Sequence, residues 1–343
     1  MNLHDFWYDL PEELIAHSPP DNRGTSRLMV LNRATGAYEN HTFNEIINLL
    51  NAGDCIVIND TKVIPARLLG NLESGGAVEV LLHRRLSTNR WEILCRPGKK
   101  CRVGKKIIVG NGDIIINIDE TVEDGLRNAT FEYTENWEYL LDKYGEVPIP
   151  HYIKPTMSTE ETKERYNTVY AKNNGSVAAP TAGLHFTNEI LSELEKKGVK
   201  IAHITLHVGI GTFRPVRVDN IIQHSMHSEY YQIEEEQAAK INETKKMGGR
   251  VIAIGTTSCR TLESCVDETG QVVHGMGKTG IYIYPGFEFK VIDGLLTNFH
   301  LPQSTLIMLV AAFCSIDYIM QAYNAAIIEG YKFYSFGDAM LLV

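Results

Sequence analysis

The fold of this chain is constrained most tightly by a change in its hydrophobic pattern. Short apolar runs at 28–31 and 54–58 flank the helix candidate "HTFNEIINLLNAGD", an order typical of a β–α–β unit. From about residue 62 to 147 the pattern becomes alternating segments such as "GAVEVLLHR", "RWEILCR" and "ATFEYT", and no helix is indicated before "NWEYLLDKYG". We therefore predict an α/β fold, with an α/β barrel-like core domain and an inserted small β-barrel domain.

The α/β pattern returns after the insert. Helix candidates "NEILSELEKKG", "EEEQAAKINETKKMGG", "SCRTLESCV" and "STLIMLVAAFC" alternate with strand candidates "KIAHITLHVG", "RVIAIGTT" and "GIYIYP". A chain of 343 residues is long enough for two domains or for one domain with a large insertion. We predict that residues 1–61 and 151–343 form the core domain and that residues 62–150 form the insert.

Composition excludes several classes of protein. A hydrophobic content of 44% with 22% charged residues is ordinary for a folded chain, and a net charge of −9 disfavours indiscriminate nucleic-acid binding without excluding a local basic patch. The six cysteines include no C-x-x-C pair, which argues against a zinc ribbon or an iron–sulfur site. The N-terminus lacks signal-peptide features, and "LIMLVAAFC" is far shorter than the roughly 20 residues that span a bilayer, so we expect a cytoplasmic protein without membrane contact.

A strand–turn–helix segment, "GGRVIAIGTTSCRTLES", is the first candidate for chemistry. Free backbone donors at the helix start, with Thr256, Thr257 and Arg260, could form a pocket for an anion or a carboxylate. An ordinary turn with a hydroxyl N-cap explains the same residues. The segment matches neither a P-loop nor G-x-G-x-x-G, so no nucleoside triphosphate or dinucleotide is implied.

A histidine group is the second candidate. His203 and His207 share one face of a predicted strand, and "HSMHSEYY" adds His224, His227 and Glu229. A zinc site is one interpretation, but no H-E-x-x-H is present and no acidic ligand lies at metal spacing on a helix. Acid–base catalysis or hydrogen bonding to a ligand is favoured over metal binding, although single histidines are more often structural.

Three further segments combine turn residues with buried neighbours. The turn "GSVAAPTAGLHF" is nearly apolar, which indicates backbone packed closely against another group. Asn59, Asp60 and Thr61 follow a buried strand, where ligands of α/β sheets gather, although Asn-Asp-Thr is also a common turn. In "LLTNFHLPQSTLIML", Asn298 and His300 could line a pocket, but a turn before a helix capped near Ser304 explains most of the pattern.

Taken together, these segments resemble one family. "GSVAAPTAGLHF", "TLHVGIGTFRPV", "HSMHSE", "GGRVIAIGTTSCRTLES", "LLTNFHLPQSTLIMLV" and "YSFGDAML" occur in the order found in the S-adenosylmethionine:tRNA ribosyltransferase-isomerase family of queuosine biosynthesis. The resemblance runs from Tyr8 to the C-terminus. It implies transfer of the ribosyl part of S-adenosylmethionine to 7-aminomethyl-7-deazaguanine at the wobble position of a tRNA with a GUN anticodon. It implies no metal and no cofactor, since S-adenosylmethionine is a substrate, and a monomeric enzyme.

The resemblance also implies roles for residues. Those expected in catalysis are His185, which we expect to face the pocket, His207, His227, Glu229 and Asp60, with Asp338 as a substitute acid or base. Those expected to bind S-adenosylmethionine and the modified base are Asn59, Thr61, Thr181, Gly183, Arg214, Thr256, Thr257, Arg260, Asn298 and His300. Those expected to bind tRNA are Arg67, Lys99, Lys100, Lys105 and Lys106, the lysines belonging to the basic run "RPGKKCRVGKK".

Two other classes of function compete with this one. A metal-dependent hydrolase would use the histidine group, and bound-metal analysis tests it. A non-catalytic RNA-binding module would centre on the β insert, and deletion of residues 65–147 in an assay of adenine release tests that reading.

Overall fold

The computed structural model describes residues 1–149, 159–209, 211 and 216–343. Residue 150, where we predict that the insert ends, and residues 151–158 lie outside the described residues. The strands are β1 (Arg27–Leu31), β2 (Tyr38–Thr42), β3 (Cys55–Asn59), β4 (Thr61–Val63), β5 (Arg67–Leu72), β6 (Ala77–Arg85), β7 (Arg90–Arg96), β8 (Lys106–Val109), β9 (Ile114–Thr121), β10 (Leu126–Tyr133), β11 (Gly145–Glu146), β12 (Asn173–Ser176), β13 (Lys200–His207), β14 (Glu229–Ile233), β15 (Val251–Ile254), β16 (Gly275–Thr279), β17 (Gly294–Asn298) and β18 (Ala339–Leu342). The α-helices are α1 (Ile46–Leu49), α2 (Trp137–Tyr144), α3 (Thr159–Arg165), α4 (Asn188–Lys197), α5 (Glu235–Lys246), α6 (Gly255–Ser264), α7 (Thr305–Phe313) and α8 (Ile316–Ile328).

A nine-stranded mixed sheet forms the centre of the core domain, in the order β16-β14-β13-β3-β15-β17-β18-β1-β2. Its four central strands, β13, β3, β15 and β17, run parallel. Alternate residues of β3 enter different cores: Cys55 and Val57 pack with α5 to α8, whereas Ile56 and Ile58 pack with α1 and α4. Both faces of the sheet are therefore covered, as is usual for parallel strands.

The inserted segment closes into a six-stranded barrel. Strands follow the order β5-β6-β7-β10-β9-β8, and β8 pairs back onto β5, so the ring is complete. Strand residues alternate between the interior and the surface, as the period of two in the sequence predicts. Helix α2 packs on this core through Trp137, whose ring meets Trp91 and Phe131. The predicted fold class, an α/β protein with an inserted β-barrel, is confirmed.

Local predictions are confirmed where sequence period and caps agree. Helix α4 begins after Thr187, whose side chain accepts a hydrogen bond from the Ile190 amide, and α7 begins after Ser304 with the same type of cap. The predicted strand "GIYIYP" is wrong, because the nearby strand β16 ends at Thr279. Beyond it the backbone bonds to side chains instead of a neighbouring strand: the Ile281 amide donates to Thr279 Oγ1 and its carbonyl accepts from Arg260 Nε.

Candidate active site

The carboxyl ends of four neighbouring parallel strands carry many of the polar residues singled out in the sequence. These strands are β13, β3, β15 and β17, in that order across the sheet. Ligands of α/β proteins gather at this edge because loops there diverge and leave a crevice. The residues at these strand ends or just beyond them are Asn59, Asp60, Thr61, His207, Gly255, Thr256, Thr257, Asn298 and His300.

Asn59 ties three of these strand ends together. Its Nδ2 donates to the Leu206 carbonyl at 3.0 Å and to Thr257 Oγ1 at 3.2 Å, and its Oδ1 accepts from the Leu206 amide at 3.0 Å and the Thr61 amide at 3.2 Å. The side chain is fully buried, so these bonds satisfy it without water. Asn59 therefore fixes the positions of the neighbouring strand ends without itself being exposed at the surface. Its predicted role in binding substrate stays a prediction.

Asp60 is also buried, and its carboxylate is already engaged. Oδ1 accepts from Thr205 Oγ1 at 2.6 Å and from Asn173 Nδ2 at 3.0 Å. Its charge favours the protonated form of nearby His207 and opposes the effect of burial on that residue's pKa. Asp60 thus influences the histidine electrostatically, and its predicted role in catalysis stays a prediction.

His207 ends β13 with its ring against backbone. Its Nδ1 lies 2.8 Å from Thr61 Oγ1, and a Cβ at Gly175 would lie 2.8 Å from the ring, so only glycine leaves room there. Burial lowers the pKa of His207 although Asp60 acts in the opposite direction. The imidazole is therefore neutral at pH 7, the form in which it can accept a proton.

Glu229 opens β14 and lies in a buried ion pair. One carboxylate oxygen contacts Arg260 Nη1, and Oε1 accepts the Gly209 amide at 3.0 Å. Burial acts to raise the pKa of Glu229, but the neighbouring His227 imidazole and the Arg260 charge outweigh it and hold that pKa at about 2. Glu229 is therefore a permanent carboxylate at neutral pH.

His227 completes this group. Its Nε2 lies 3.3 Å from Glu229 Oε1, and its side chain is 25% exposed. Because an ionised carboxylate only accepts hydrogen bonds, Glu229 favours the tautomer with the proton on Nε2. The carboxylate therefore lies beside the ring, although Nε2 forms no well-aligned hydrogen bond with it.

A cleft of about 1600 Å³ lies between the barrel and the part of the core domain formed by β4, β12, the end of β13 and the start of β14; of the strand-end residues named above, only His207 lines it. His207, His227 and Glu229 line it from the core domain, so the structure brings these three predicted residues together. Barrel residues His83, Arg84, Arg85, Trp91 and Glu92 line the facing wall. A cleft of this volume is large enough for a nucleoside-sized ligand and bases presented by a macromolecule.

The structure does not bring His185 to this cleft. Its ring is buried, with Nδ1 2.7 Å from Ser26 Oγ and Nε2 3.4 Å from Asn298 Nδ2, and it stacks on Phe43. Burial lowers its pKa to about 4, so the ring is neutral at pH 7. Asn298 also donates to the Tyr334 carbonyl at 3.0 Å. The predicted roles of His185 and Asn298 stay predictions.

The small residues of "GSVAAPTAGLHF" have a packing reason. Thr181 and Gly183 lie in the short 3₁₀ helix Thr181–His185, and the hydroxyl of Tyr170 occupies the position where a Cβ at Gly183 would stand. The backbone of Gly183 thus packs closely against another group, as the sequence predicts, and that group is the Tyr170 side chain. Binding of substrate by Thr181 and Gly183 stays a prediction.

The remaining residues predicted to bind substrate have different environments. Thr256 is buried at the start of α6, and Arg260, predicted to meet a substrate carboxylate, is engaged by Glu229. His300 lies 2.7 Å, through Nε2, from Thr297 Oγ1, and burial lowers its pKa to about 3. Arg214 lies outside the described residues.

The residues predicted to bind tRNA lie on the barrel. Lys99, Lys100, Lys105 and Lys106 are exposed and cluster around the turn before β8. Arg67 differs from them because it is half-buried, donating to the Ile149 carbonyl at 3.0 Å and lying 3.6 Å from Glu79. The lysines are therefore available to a partner, whereas Arg67 has a structural bond.

Sequence reasoning missed His83 and Glu92 as site residues. Both line the cleft, and His83 Nε2 lies 3.5 Å from Glu92 Oε1. The available signal was the change from apolar to polar residues at the end of "AVEVLLHRR", which indicates a strand leaving its core.

Two negative findings concern only the residues that the structure describes. No group of three or more His, Cys, Asp or Glu side chains has the arrangement of a metal site. No single helix there is long and apolar enough to cross a membrane, although α7 and α8, bent by 116°, meet the criteria of length and composition as a pair.

Comparison with known proteins agrees with the resemblance seen in the sequence. A family model described as "Queuosine biosynthesis protein" matches residues 3–342. Proteins named S-adenosylmethionine:tRNA ribosyltransferase-isomerase are 55% identical in Caldanaerobacter subterraneus subsp. tengcongensis and 52% identical in Clostridioides difficile, each aligned over 100% of both chains.

A solved structure is similar over the same length. The crystal structure of the S-adenosylmethionine tRNA ribosyltransferase from Thermotoga maritima shares 39% identity, covers 99% of this chain and 100% of its own, and has a TM-score of 0.57. These findings confirm that the chain is an enzyme, a transferase of queuosine biosynthesis. The chain belongs to the queuosine biosynthesis family of S-adenosylmethionine:tRNA ribosyltransferase-isomerases.

Proposed function

We propose that this enzyme transfers and isomerises the ribosyl moiety of S-adenosylmethionine onto 7-aminomethyl-7-deazaguanine at the wobble position of tRNA. The products are epoxyqueuosine-tRNA, adenine and methionine. The names of the relatives support the class of reaction, and the observation that carries it to this chain is the cleft in which His207, His227 and Glu229 converge.

Release of adenine and methionine requires two proton transfers. A base removes a proton from C5′, which the adjacent sulfonium makes acidic, and an acid assists adenine as its bond to the ribose breaks. Methionine leaves as the C5′–sulfur bond breaks, the aminomethyl nitrogen of the acceptor base bonds to a ribosyl carbon and loses a proton, and the ribosyl carbons become an epoxycyclopentane. Neutral His207 and the His227–Glu229 pair are suited to these steps because both imidazoles reach the same cleft.

The partners follow from the same proposal. We assign a tRNA with a GUN anticodon as acceptor, S-adenosylmethionine as donor substrate and no metal or other cofactor. The enzyme would act in the cytoplasm, where tRNA is modified, and as a monomer. Exposed lysines of the barrel would hold phosphates while the modified base enters the cleft.

The test is an assay of the purified chain with S-adenosylmethionine and tRNA bearing the modified base. We expect adenine and methionine in equal amounts, epoxyqueuosine in the digested tRNA, and no loss of rate with a metal chelator. His227→Ala should lower kcat by about 10²-fold or more, the usual contribution of a general acid or base. Adenine release that is independent of tRNA, or abolished by the chelator, would favour a hydrolase instead.

A further inference from the structure

We propose that the β-barrel supplies a second proton-transfer pair, His83 and Glu92, to the cleft. This inference rests on the proposed function and adds a catalytic role to a domain that the sequence associates only with RNA binding. The pair would accept the proton that the aminomethyl nitrogen of the acceptor base loses as it bonds to the ribosyl group, a transfer that is not assigned above to His207 or to the His227–Glu229 pair.

His83 occupies a special position in its strand. Leu82 of β6 pairs with Ile93 of β7, and Arg84 pairs with Glu92, so His83 is the extra residue of a β-bulge. Bulges re-aim a side chain relative to the regular alternation and occur often beside active sites. Here the bulge lies at the end of β6 that faces the core domain, and its histidine lines the cleft.

The ring of His83 reaches the core domain. A Cβ added to Gly209 would lie 3.1 Å from His83 Cε1, so the ring packs on the backbone of that glycine. The amide of the same glycine donates to Glu229 Oε1 at 3.0 Å. One residue therefore separates the barrel histidine from the carboxylate beside His227, and the two His–Glu pairs share one region of the cleft.

Glu92 gives His83 the environment of a proton-transfer group. Its Oε1 lies 3.5 Å from His83 Nε2 and its Oε2 lies 3.4 Å from Arg84 Nη2. The side chains of His83 and Glu92 are only 19% and 12% exposed, so solvent screens their interaction little. A carboxylate at this distance favours the imidazole tautomer whose proton lies on Nε2, the nitrogen that faces Glu92.

The experiment compares His83→Ala, His83→Gln and Glu92→Gln with wild type in the adenine-release assay. We expect His83→Ala to lower kcat by about 10²-fold, with the KM for S-adenosylmethionine and the affinity for tRNA changed less than about threefold. Added imidazole should restore part of the rate to His83→Ala, because a free base can replace a missing proton-transfer group. The Tm should stay close to wild type.

His41→Gln is the matched control, since His41 also pairs with glutamate, at 3.3 Å from Glu39, but lies on β2 away from the cleft. It should keep the wild-type rate. Wild-type kcat in His83→Ala, or in His83→Gln should the first variant not fold, would overturn this inference alone. A loss of rate without rescue by imidazole and with a lowered Tm would also overturn it. His83 would then have only a structural role, in the contact between the barrel and the core domain. A wild-type chain that releases no adenine would overturn the proposed function and the inference together.

Discussion

Burial decides what individual histidines of this chain can do. His185 and His207 both lie within sequence segments characteristic of the family, but only His207 of these two lines the cleft, whereas His185 is enclosed by Phe43, Ser26 and Asn298. An enclosed ring is costly to protonate because its charge loses hydration. His207 is therefore a candidate base, whereas His185 is a core residue whose protonation would destabilise the fold.

His185 should make stability depend on pH between 6.5 and 4. Its folded-state pKa is about 4, below the ordinary value of 6.5, so the unfolded chain binds more protons in this window and stability falls as the pH falls. By 1.36 kcal/mol per pKa unit the loss is about 3 kcal/mol. Urea unfolding at pH 7.5 and 4.5 should show a smaller loss for His185→Gln than for wild type. His41→Gln, at a half-buried site on β2, should behave like wild type, and equal losses in all three proteins would contradict the explanation.

The Arg260–Glu229 pair should be essential for folding stability. Both side chains are almost completely buried, so Arg260→Met leaves an uncompensated carboxylate, a change that typically costs about 3–5 kcal/mol. The double variant Arg260→Met, Glu229→Leu should recover much of that loss in urea unfolding. If Arg260→Met instead keeps wild-type stability and weakens binding of S-adenosylmethionine in calorimetry, Arg260 binds the substrate carboxylate as the sequence predicts.

Three glycines near the cleft leave space in which histidine rings pack against the backbone. Gly175 in β12 faces the imidazole of His207, Gly209 after β13 faces that of His83, and Gly211 faces that of His227. Each glycine belongs to a family-like sequence segment, "GSVAAPTAGLHF" or "TLHVGIGTFRPV". The family-like segments therefore supply the glycines beside which the histidine side chains of the cleft pack.

Gly175→Ala should misplace His207. The new Cβ would lie 2.8 Å from the ring, and the residue has a φ of +151°, so both packing and backbone oppose the change. We expect a loss of kcat of tenfold or more, since small displacements of catalytic groups are costly, with a smaller effect on the KM for S-adenosylmethionine. Gly76→Ala is the control, because its nearest neighbour would be 3.8 Å away. Equal kcat in the two variants would exclude a role for this packing.

The basic turn of the barrel has an internal support. Arg127 is buried and donates to the carbonyls of Cys101 at 2.5 Å, Gly125 at 2.6 Å and Gly98 at 2.7 Å. Gly98 and Cys101 flank Lys99 and Lys100, so this guanidinium holds the turn in one shape while the lysines stay in solvent. A preorganised turn loses less conformational entropy when it binds a partner.

At the level of the whole molecule, the barrel and the core domain form a single cleft. The predicted catalytic residues come from the core, the basic turn lies on the barrel, and His83 of the barrel touches Gly209 of the core. A tRNA held by the barrel would therefore place a base against the end of β13 and the start of β14. RNA binding and chemistry should be separable by mutation.

Replacing Lys99, Lys100, Lys105 and Lys106 with alanine should weaken tRNA binding and flatten its salt dependence. Log K falls with log salt concentration by about 0.7–0.9 for each neutralised phosphate, so the loss of four lysines should decrease the slope by up to about 3.6. Filter binding across salt concentrations measures the slope, and the affinity for S-adenosylmethionine should be unchanged.

A control variant replaces Lys196, Lys197, Lys246 and Lys290, exposed lysines of the core domain, and carries the same change in net charge. It should keep the wild-type slope. A wild-type slope in the barrel variant, or an equal decrease in the control, would show that tRNA is not held by the basic turn.

The elements of this protein and its family could be predicted from the sequence, because hydrophobic period, caps and turn residues act over a few neighbouring positions. The α/β pattern, the β-barrel insert and the caps of α4 and α7 are of this kind. So is the presence of Asn59, Asp60 and Thr61 after β3, where parallel strands present their carboxyl ends.

Only the tertiary structure decided which of these residues meet. Strand order brings His207 and Glu229 to one cleft and leaves His185 in a core, Arg260 faces a carboxylate of its own chain, and a bulge aims His83 at Gly209. These contacts join residues far apart in the chain, so no local period or turn preference encodes them. They depend on how the sheet, the helices and the barrel pack, which is determined by the burial of all their apolar faces at once.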